Sequence, residues 1–270
     1  MMTSGTIASS PDPKKYWGKF LGVETYKIEW YTKKLLYKLL GVRLPKLQDQ
    51  REYWQRRGQV YYDEIVTSGY LDREVFFQDM LVDCLRSVEF DSFFEAGCGF
   101  GWNIGRVKRE FPEVRVGGLD FSFTQLLNSH RFLEGLDIGV ANGDATRMPF
   151  VDNAFDVGFS LGVFMNIHPD RIRLAMKELL RVCGKYIIHI EYDEHNTTLE
   201  LRDKRVPKTN IVSHDYPALY RELGAEVLEF RTYKDFGAAY DEHVSRVTSD
   251  LDRWEGFEGP EKYIFTVIKV

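Results

Sequence analysis

The apolar positions keep one rhythm up to about residue 90 and another beyond it. Ile28, Tyr31, Leu35, Leu36 and Leu39 fall at helical spacing with Lys33, Lys34 and Lys38 between them, and Gly41 and Pro45 end the pattern. This predicts an amphipathic helix. It either docks on the main domain with its lysines in water or touches a membrane surface or an acidic partner. Residues 50–66, QREYWQRRGQVYYDEIV, predict a second helical stretch, broken near Gly58. A third, 74–88, runs through Phe77, Met80, Leu81, Cys84 and Leu85.

From Phe93 onward short apolar runs alternate with helical segments. Strands are predicted at 91–96, 115–120, 137–141, 155–161, 185–191, 225–233 and 261–270, and helices at 102–110, 124–133, 169–182 and 215–223. Such alternation points to an α/β sheet covered by helices on both faces. The last two strands have no helical pattern between them, which predicts a closing antiparallel hairpin with a long excursion at 234–260. No internal repeat interrupts this plan. The expected organisation is a disordered tail over 1–15, an N-terminal helical extension or lid over 16–73, and one α/β domain over 74–270. Polar, substrate-covering insertions are expected near 194–214 and 234–260.

Composition narrows the classes. Hydrophobic residues make up 44% and charged residues 29%, as in a soluble globular protein. The net charge of −5 and a pI near 5.8 argue against a wholly basic nucleic-acid-binding surface. Aromatics reach 14%, more than a core alone requires, and suggest a pocket or lid. The three cysteines, Cys84, Cys98 and Cys183, form neither a disulfide framework nor a metal-ligand cluster, so no metal is expected and a reducing cytoplasm fits. No run reaches the 18 or so apolar residues of a membrane span, and MMTSGTIASSPDPKK lacks the apolar centre of a signal peptide.

Three motifs carry the chemistry. In Phe93-Phe94-Glu95-Ala96-Gly97-Cys98-Gly99-Phe100-Gly101 an apolar strand runs into alternate glycines and then a helix. Such a turn lets a ligand approach the backbone at the carboxyl end of the strand. The dinucleotide fingerprint would need a glycine where Trp102 stands. Glu95 suits a cationic or hydroxylated ligand better than a pyrophosphate. In Val116-Gly117-Gly118-Leu119-Asp120-Phe121-Ser122 an acid ends the second strand, where a carboxylate can accept from two ribose hydroxyls or cap the next helix. In Gly143-Asp144-Ala145-Thr146 an acid and a small residue can read an adenine edge.

In this order and spacing the motifs strongly resemble class I S-adenosylmethionine-dependent methyltransferases. The resemblance covers about 90–191 well and 215–270 loosely. It implies a doubly wound, Rossmann-like sheet of seven strands, the seventh antiparallel, with S-adenosyl-L-methionine as cofactor. It further implies that Glu95, Gly97, Gly99 and Gly101 line the methionine end of the cofactor. Asp120 would hold the ribose hydroxyls, Phe121 would pack on the adenine, and Asp144 and Ala145 would contact its edge. Leu161 and Gly162 would lie beneath the transferring methyl. Tyr53-Trp54-Gln55-Arg56-Arg57 with Tyr61-Tyr62 looks like the family's N-terminal helix, which often folds over the cofactor. Leu180-Arg181-Val182-Cys183-Gly184 departs from the Pro-Gly-Gly turn of many members. Gly162 through Asp170, with Lys185-Tyr186-Ile187-Ile188 and Glu191-Tyr192, partly resembles methylases associated with pseudaminic-acid-type sugar biosynthesis.

Methyl transfer from a sulfonium asks chiefly for positioning, with a base where the nucleophile carries a proton. His168 and Glu191 are the candidate bases, and Asn166 and Tyr192 are candidates to bind the acceptor. His189, inside a strand, reads as core; His195 and His214 read as surface. The leading expectation is transfer to a hydroxyl or amine of a small molecule, a sugar or other specialised metabolite, with no nucleic-acid partner. The alternatives are an RNA or protein acceptor, a non-catalytic cofactor-binding or scaffold protein, and, more remotely, a dinucleotide dehydrogenase. The oligomeric state is left open.

Overall fold

A computed structural model describes residues 19–21, 23–41, 50–67, 71, 75–192, 214–251 and 263–270. The expected tail at 1–15 and most of the insertion at 194–214 lie outside these residues, as does the end of the 234–260 excursion.

Seven strands form one sheet: β1 (Ser92–Ala96), β2 (Arg115–Asp120), β3 (Ile138–Asn142), β4 (Phe155–Leu161), β5 (Cys183–Tyr192), β6 (Glu226–Thr232) and β7 (Tyr263–Lys269). Their order is β3-β2-β1-β4-β5-β7-β6. The first five are parallel, and β7 runs antiparallel to both β5 and β6. Parallel neighbours need crossovers, and helices supply them. The helices are α1 (Thr25–Leu40), α2 (Gln50–Thr67), α3 (Phe76–Arg86), α4 (Trp102–Glu110), α5 (Phe123–Phe132), α6 (Pro169–Val182), α7 (Tyr216–Glu222) and α8 (Ala238–Leu251). The strand order reverses between β1 and β4, so a ligand crevice is expected at their carboxyl ends.

β1 is buried on both faces, which is why it reads as a continuous apolar run. Phe93 packs into the layer with α3, α4 and α5, and Phe94 into the opposite layer with α6 and α7. The α6 face is typical of the second layer. Ile172, Ala175, Met176, Leu179 and Val182 recur at helical spacing and are fully buried, while Pro169 opens the first turn.

Three features of the helical segments differ from expectation. First, α2 passes through Gly58 unbroken. A Cβ at Gly58 would lie 3.2–3.3 Å from Thr124, Gln125 and Ser122, so the missing side chain allows α2 to lie close on α5. Second, residues 238–251 of the long excursion are helical. Their anchors are aromatic rings: Phe236 and Tyr240, with His243, stack against Phe76 and Phe77 of α3. This part of the expected covering insertion is packed into the core layer. Third, Ile28, Leu35 and Leu39 of α1 are exposed, where an apolar strip docked on the domain would be covered.

Candidate active site

The glycine-rich turn is built from backbone conformations that favour glycine. Gly97, Gly99 and Gly101 have φ of +79°, +55° and +94°. A Cβ at Gly97 would overlap Val163, and one at Gly101 would meet Leu133. Around Gly99 nothing lies within 4 Å of that position, so a ligand can approach the chain there. The turn is tied to the end of β2: Gly97 N and Cys98 N donate to Leu119 O at 2.6 and 3.0 Å.

Asp120 completes the tie. Its Oδ2 accepts from Gly99 N at 2.9 Å and its Oδ1 from Ser122 N at 2.7 Å. Burial pushes its pKa up to about 6, opposed by these two N–H groups. Each oxygen keeps a lone pair for a further donor.

Glu95 ends β1 and points toward α4. It is 1% exposed, its Oε1 accepts from Asn103 Nδ2 at 2.7 Å, and its Oε2 is buried with no hydrogen-bond partner. Burial raises its pKa to about 8; the Asn103 and Ile104 donors oppose the rise and the Asp120 charge adds to it. Asn103 is in turn held by Gln78 Nε2 at 3.1 Å, which also donates to Trp102 O. Sequence reading missed this Gln78–Asn103 pair. Its signal was two amides on the buried faces of α3 and α4.

α2 covers this end of the sheet. Ser122 Oγ donates to Trp54 O at 3.1 Å, Asn128 Nδ2 to Gly58 O at 3.0 Å, and Gln55 Nε2 to Thr124 Oγ1 at 2.7 Å. Arg51 reaches Phe121 O at 3.5 Å. The rings of Tyr61 and Tyr62 pack on Phe100, inside the glycine turn, at 6.1 and 5.3 Å. Arg57 lies over Tyr61 and pairs through Nη2 with Glu64 at 2.6 Å, while its Nη1 is buried without a partner. The side chains of Tyr53 and Arg56 lie outside the described part of this helix.

After β3, Asp144 turns back on its own loop. Oδ1 accepts from Thr146 N and Oγ1 at 2.9 and 2.7 Å, and Oδ2 from Arg171 at 3.2 Å. Burial alone would raise its pKa, but these donors outweigh it and hold the carboxyl below its ordinary value. Ala145, beside it, is half-buried.

The loop after β4 is pinned from behind. Leu161 leads into Gly162, whose N–H donates to Ile190 O at 2.9 Å. Glu191 Oε1 accepts from Ser160 Oγ at 2.6 Å, Val163 N at 3.1 Å and Phe164 N at 3.0 Å, and Oε2 accepts from Met165 N at 3.2 Å. The carboxylate is 0% exposed, and burial raises its pKa to about 7 against these donors. Behind Ser160, His189 Nδ1 lies at 2.7 Å, and its Nε2 lies 2.6 Å from the Tyr220 hydroxyl. Burial lowers the His189 pKa to about 3, so the ring is neutral. One arrangement satisfies every atom: Tyr220 O–H donates to Nε2, Nδ1–H to Ser160, and Ser160 O–H to Glu191.

Glu191 is thus enclosed and takes four hydrogen bonds, three of them from the loop, which it positions. The reading of His214 is corrected. It is buried rather than on the surface, and its Nε2–H donates to Ile167 O at 2.9 Å, pinning the same loop. His189 sits in the core as expected. Asn166 Nδ2 donates to Gly162 O at 3.0 Å within the loop. His168 caps α6: its Nδ1 accepts from Asp170 N at 3.2 Å, and its side chain is 42% exposed. Tyr192 is buried with its ring 4.7 Å from Tyr263. Among the described residues no group of three or more His, Cys, Asp or Glu could hold a metal ion, and no helix is long and apolar enough to cross a membrane.

A sheet of this order, with an acid-led glycine turn at its switch point, defines the class I methyltransferase fold. Residues 93–185 match the methyltransferase domain family. Among characterised relatives, a demethylmenaquinone methyltransferase of Staphylococcus aureus is 37% identical over 90 residues, 32% of this chain and 35% of that protein. The match therefore spans about a third of the length of those relatives. A Haloferax volcanii methyltransferase solved in complex with the Trm112 methyltransferase activator superposes with a TM-score of 0.57 at 20% identity, over 83% of this chain and 97% of that one. The cyclase SpnF superposes at 0.56 and 18% identity over 72% and 80%. A geranyl diphosphate methyltransferase with sinefungin superposes at 0.54 and 14% over 71% and 76%. At these identities the structural likeness concerns the fold.

Proposed function

We propose that this protein transfers a methyl group from S-adenosylmethionine to a hydroxyl or amine of a small molecule, a sugar or other specialised metabolite. The observation that carries the reading is a pair of unpartnered buried atoms, Glu95 Oε2 at the glycine turn and Arg57 Nη1 on the helix that covers it. An α-amino acid offers one ammonium and one carboxylate, which match that pair in charge. The bound cofactor supplies the methyl group and leaves as a neutral thioether.

Glu95 receives the ammonium and Arg57 the carboxylate. Asp120 uses its remaining lone pairs for the ribose hydroxyls, and Phe121, Asp144 and Ala145 line the adenine. Gly97, Gly99 and Gly101 let the backbone meet the methionine end. Leu161 and the pinned loop from Gly162 to Asn166 form the floor beneath the methyl, and Asn166 and Tyr192 stand on the acceptor side. His168 is half-exposed and can take a proton from an acceptor at Nδ1 by giving up its cap on Asp170 N, whereas Glu191 is enclosed. A small-molecule acceptor fits the names of the demethylmenaquinone and geranyl diphosphate enzymes.

The test is transfer of isotopically labelled methyl into an extract of the encoding organism, separated into small molecules, nucleic acid and protein. Label in the small-molecule fraction is expected. Label only in polymer overturns the acceptor class. Asp120→Ala should weaken S-adenosylhomocysteine binding at least about tenfold. Binding as tight as wild type removes the site assignment.

A further inference from the structure

We propose that α1 is a membrane-surface helix, lying in the headgroup region of an anionic phospholipid bilayer without crossing it. Its exposed face is apolar: Ile28, Leu35 and Leu39 are 40%, 57% and 71% exposed, and the partly exposed ring of Tyr31 lies among them. At 3.6 residues per turn these four fall on one strip, and positions 27, 34 and 38, all lysine, fall along one border of it. The helix carries four lysines against one glutamate, a surplus of three positive charges in a chain whose net charge is −5. The rest of the molecule is therefore net acidic, and an anionic surface attracts this helix in particular. Just before α1, Leu21 sits at the tip of a two-strand turn, 89% exposed and with a left-handed φ of 51°. A bulky apolar residue is rare in that conformation, and here it faces solvent.

Other occupants fit less well. A second copy would set one surplus of lysines against another. A partner protein offering an apolar groove would take the same face, and the lysine border beside the strip is what favours an anionic, deformable bilayer. With 16 residues and four lysines the helix is too short and too charged to span.

The experiment is sedimentation of the full-length protein with vesicles of phosphatidylcholine mixed with phosphatidylglycerol, and with phosphatidylcholine alone. Binding to the anionic vesicles is expected, at least about tenfold tighter than to the neutral ones and weakening as salt is raised. Leu35→Asp with Leu39→Asp should abolish it while cofactor binding persists, showing that the domain is folded. Lys34→Glu with Lys38→Glu should remove the anionic preference. Binding to neither vesicle, equal binding to both, or a leucine variant that binds like wild type overturns the proposal. So does a concentration-dependent dimer in solution that the leucine variant breaks.

Discussion

Glu95 and Glu191 end β1 and β5 of the same sheet, and both are enclosed, at 1% and 0% exposure. Their surroundings are opposite. Glu191 takes four hydrogen bonds from a single loop and from Ser160, using both oxygens. Glu95 takes one side-chain bond from Asn103 and leaves Oε2 with no partner. A buried carboxylate oxygen without a donor is costly, and a fold retains one where a ligand supplies the donor. On the proposed reading the fully partnered acid serves the scaffold and the under-partnered one the site. The same contrast separates the glycine turn, open at Gly99, from the loop after β4, pinned by Glu191 and His214.

The largest effect should come from the saturated acid. Glu191→Ala orphans three backbone N–H groups and the Ser160 hydroxyl, and we expect a loss of about 3–5 kcal/mol in urea unfolding. The failure would be in folding before chemistry. A Glu191→Ala protein as stable as wild type but without turnover would return the residue to the reacting atoms and erase the contrast.

Glu95 should behave in the reverse sense. Glu95→Gln should weaken S-adenosylhomocysteine binding roughly ten- to hundredfold without a comparable loss of stability. Its titration gives a sharper test. The folded-state pKa values of Glu95, Glu191 and Asp120 are raised to about 8, 7 and 6. The native state thus binds more protons than the unfolded one between about pH 4 and 8, and stability falls as pH rises through that window. Carboxylates whose pKa is lowered, such as Asp144 and Glu178, act only at more acid pH. Glu95→Gln should flatten the upper part of that fall. An ammonium bound to Glu95 favours its ionised form, so cofactor binding near pH 7 should release a proton. Calorimetry in buffers of different ionisation enthalpy reads that release, which should vanish in Glu95→Gln. No release in the wild-type protein would mean that the orphan oxygen does not meet the ammonium.

What could be read from the chain follows the range of the forces involved. The strands and the acid-led glycine turn are local matters of short apolar runs and backbone conformation, and residues 93–101 display both. The order of motifs along the chain then fixed the fold. Gly58 was misleading because its purpose is a close approach to Ser122 and Thr124, far away in sequence. α8 escaped because what anchors it among the described residues is aromatic, Phe236 just before it and Tyr240 and His243 within it, rather than an aliphatic stripe. Glu191 looked reactive because its position suits a base, while its donors are the Ser160 hydroxyl and backbone groups of the loop after β4. The helical spacing of α1 was visible, but nothing in it told whether the apolar strip would be covered.

The smallest effect concerns His168, and it decides whether an acid–base group remains once Glu191 is assigned to the scaffold. Its Nδ1 caps α6 through Asp170 N, so His168→Ala should cost about 1 kcal/mol of stability. His168→Asn can restore the cap, because an amide oxygen accepts from the same N–H. The pair of variants separates the two roles. If turnover follows the cap, Asn rescues it and the pH profile is that of wild type. If His168 takes the acceptor's proton, Asn restores stability but not kcat, and the limb of the profile due to the imidazole disappears. The second outcome is expected for a hydroxyl or ammonium acceptor, which must lose a proton, and the first for an acceptor already deprotonated. The Asn variant therefore reports on the acceptor atom as well as on the residue.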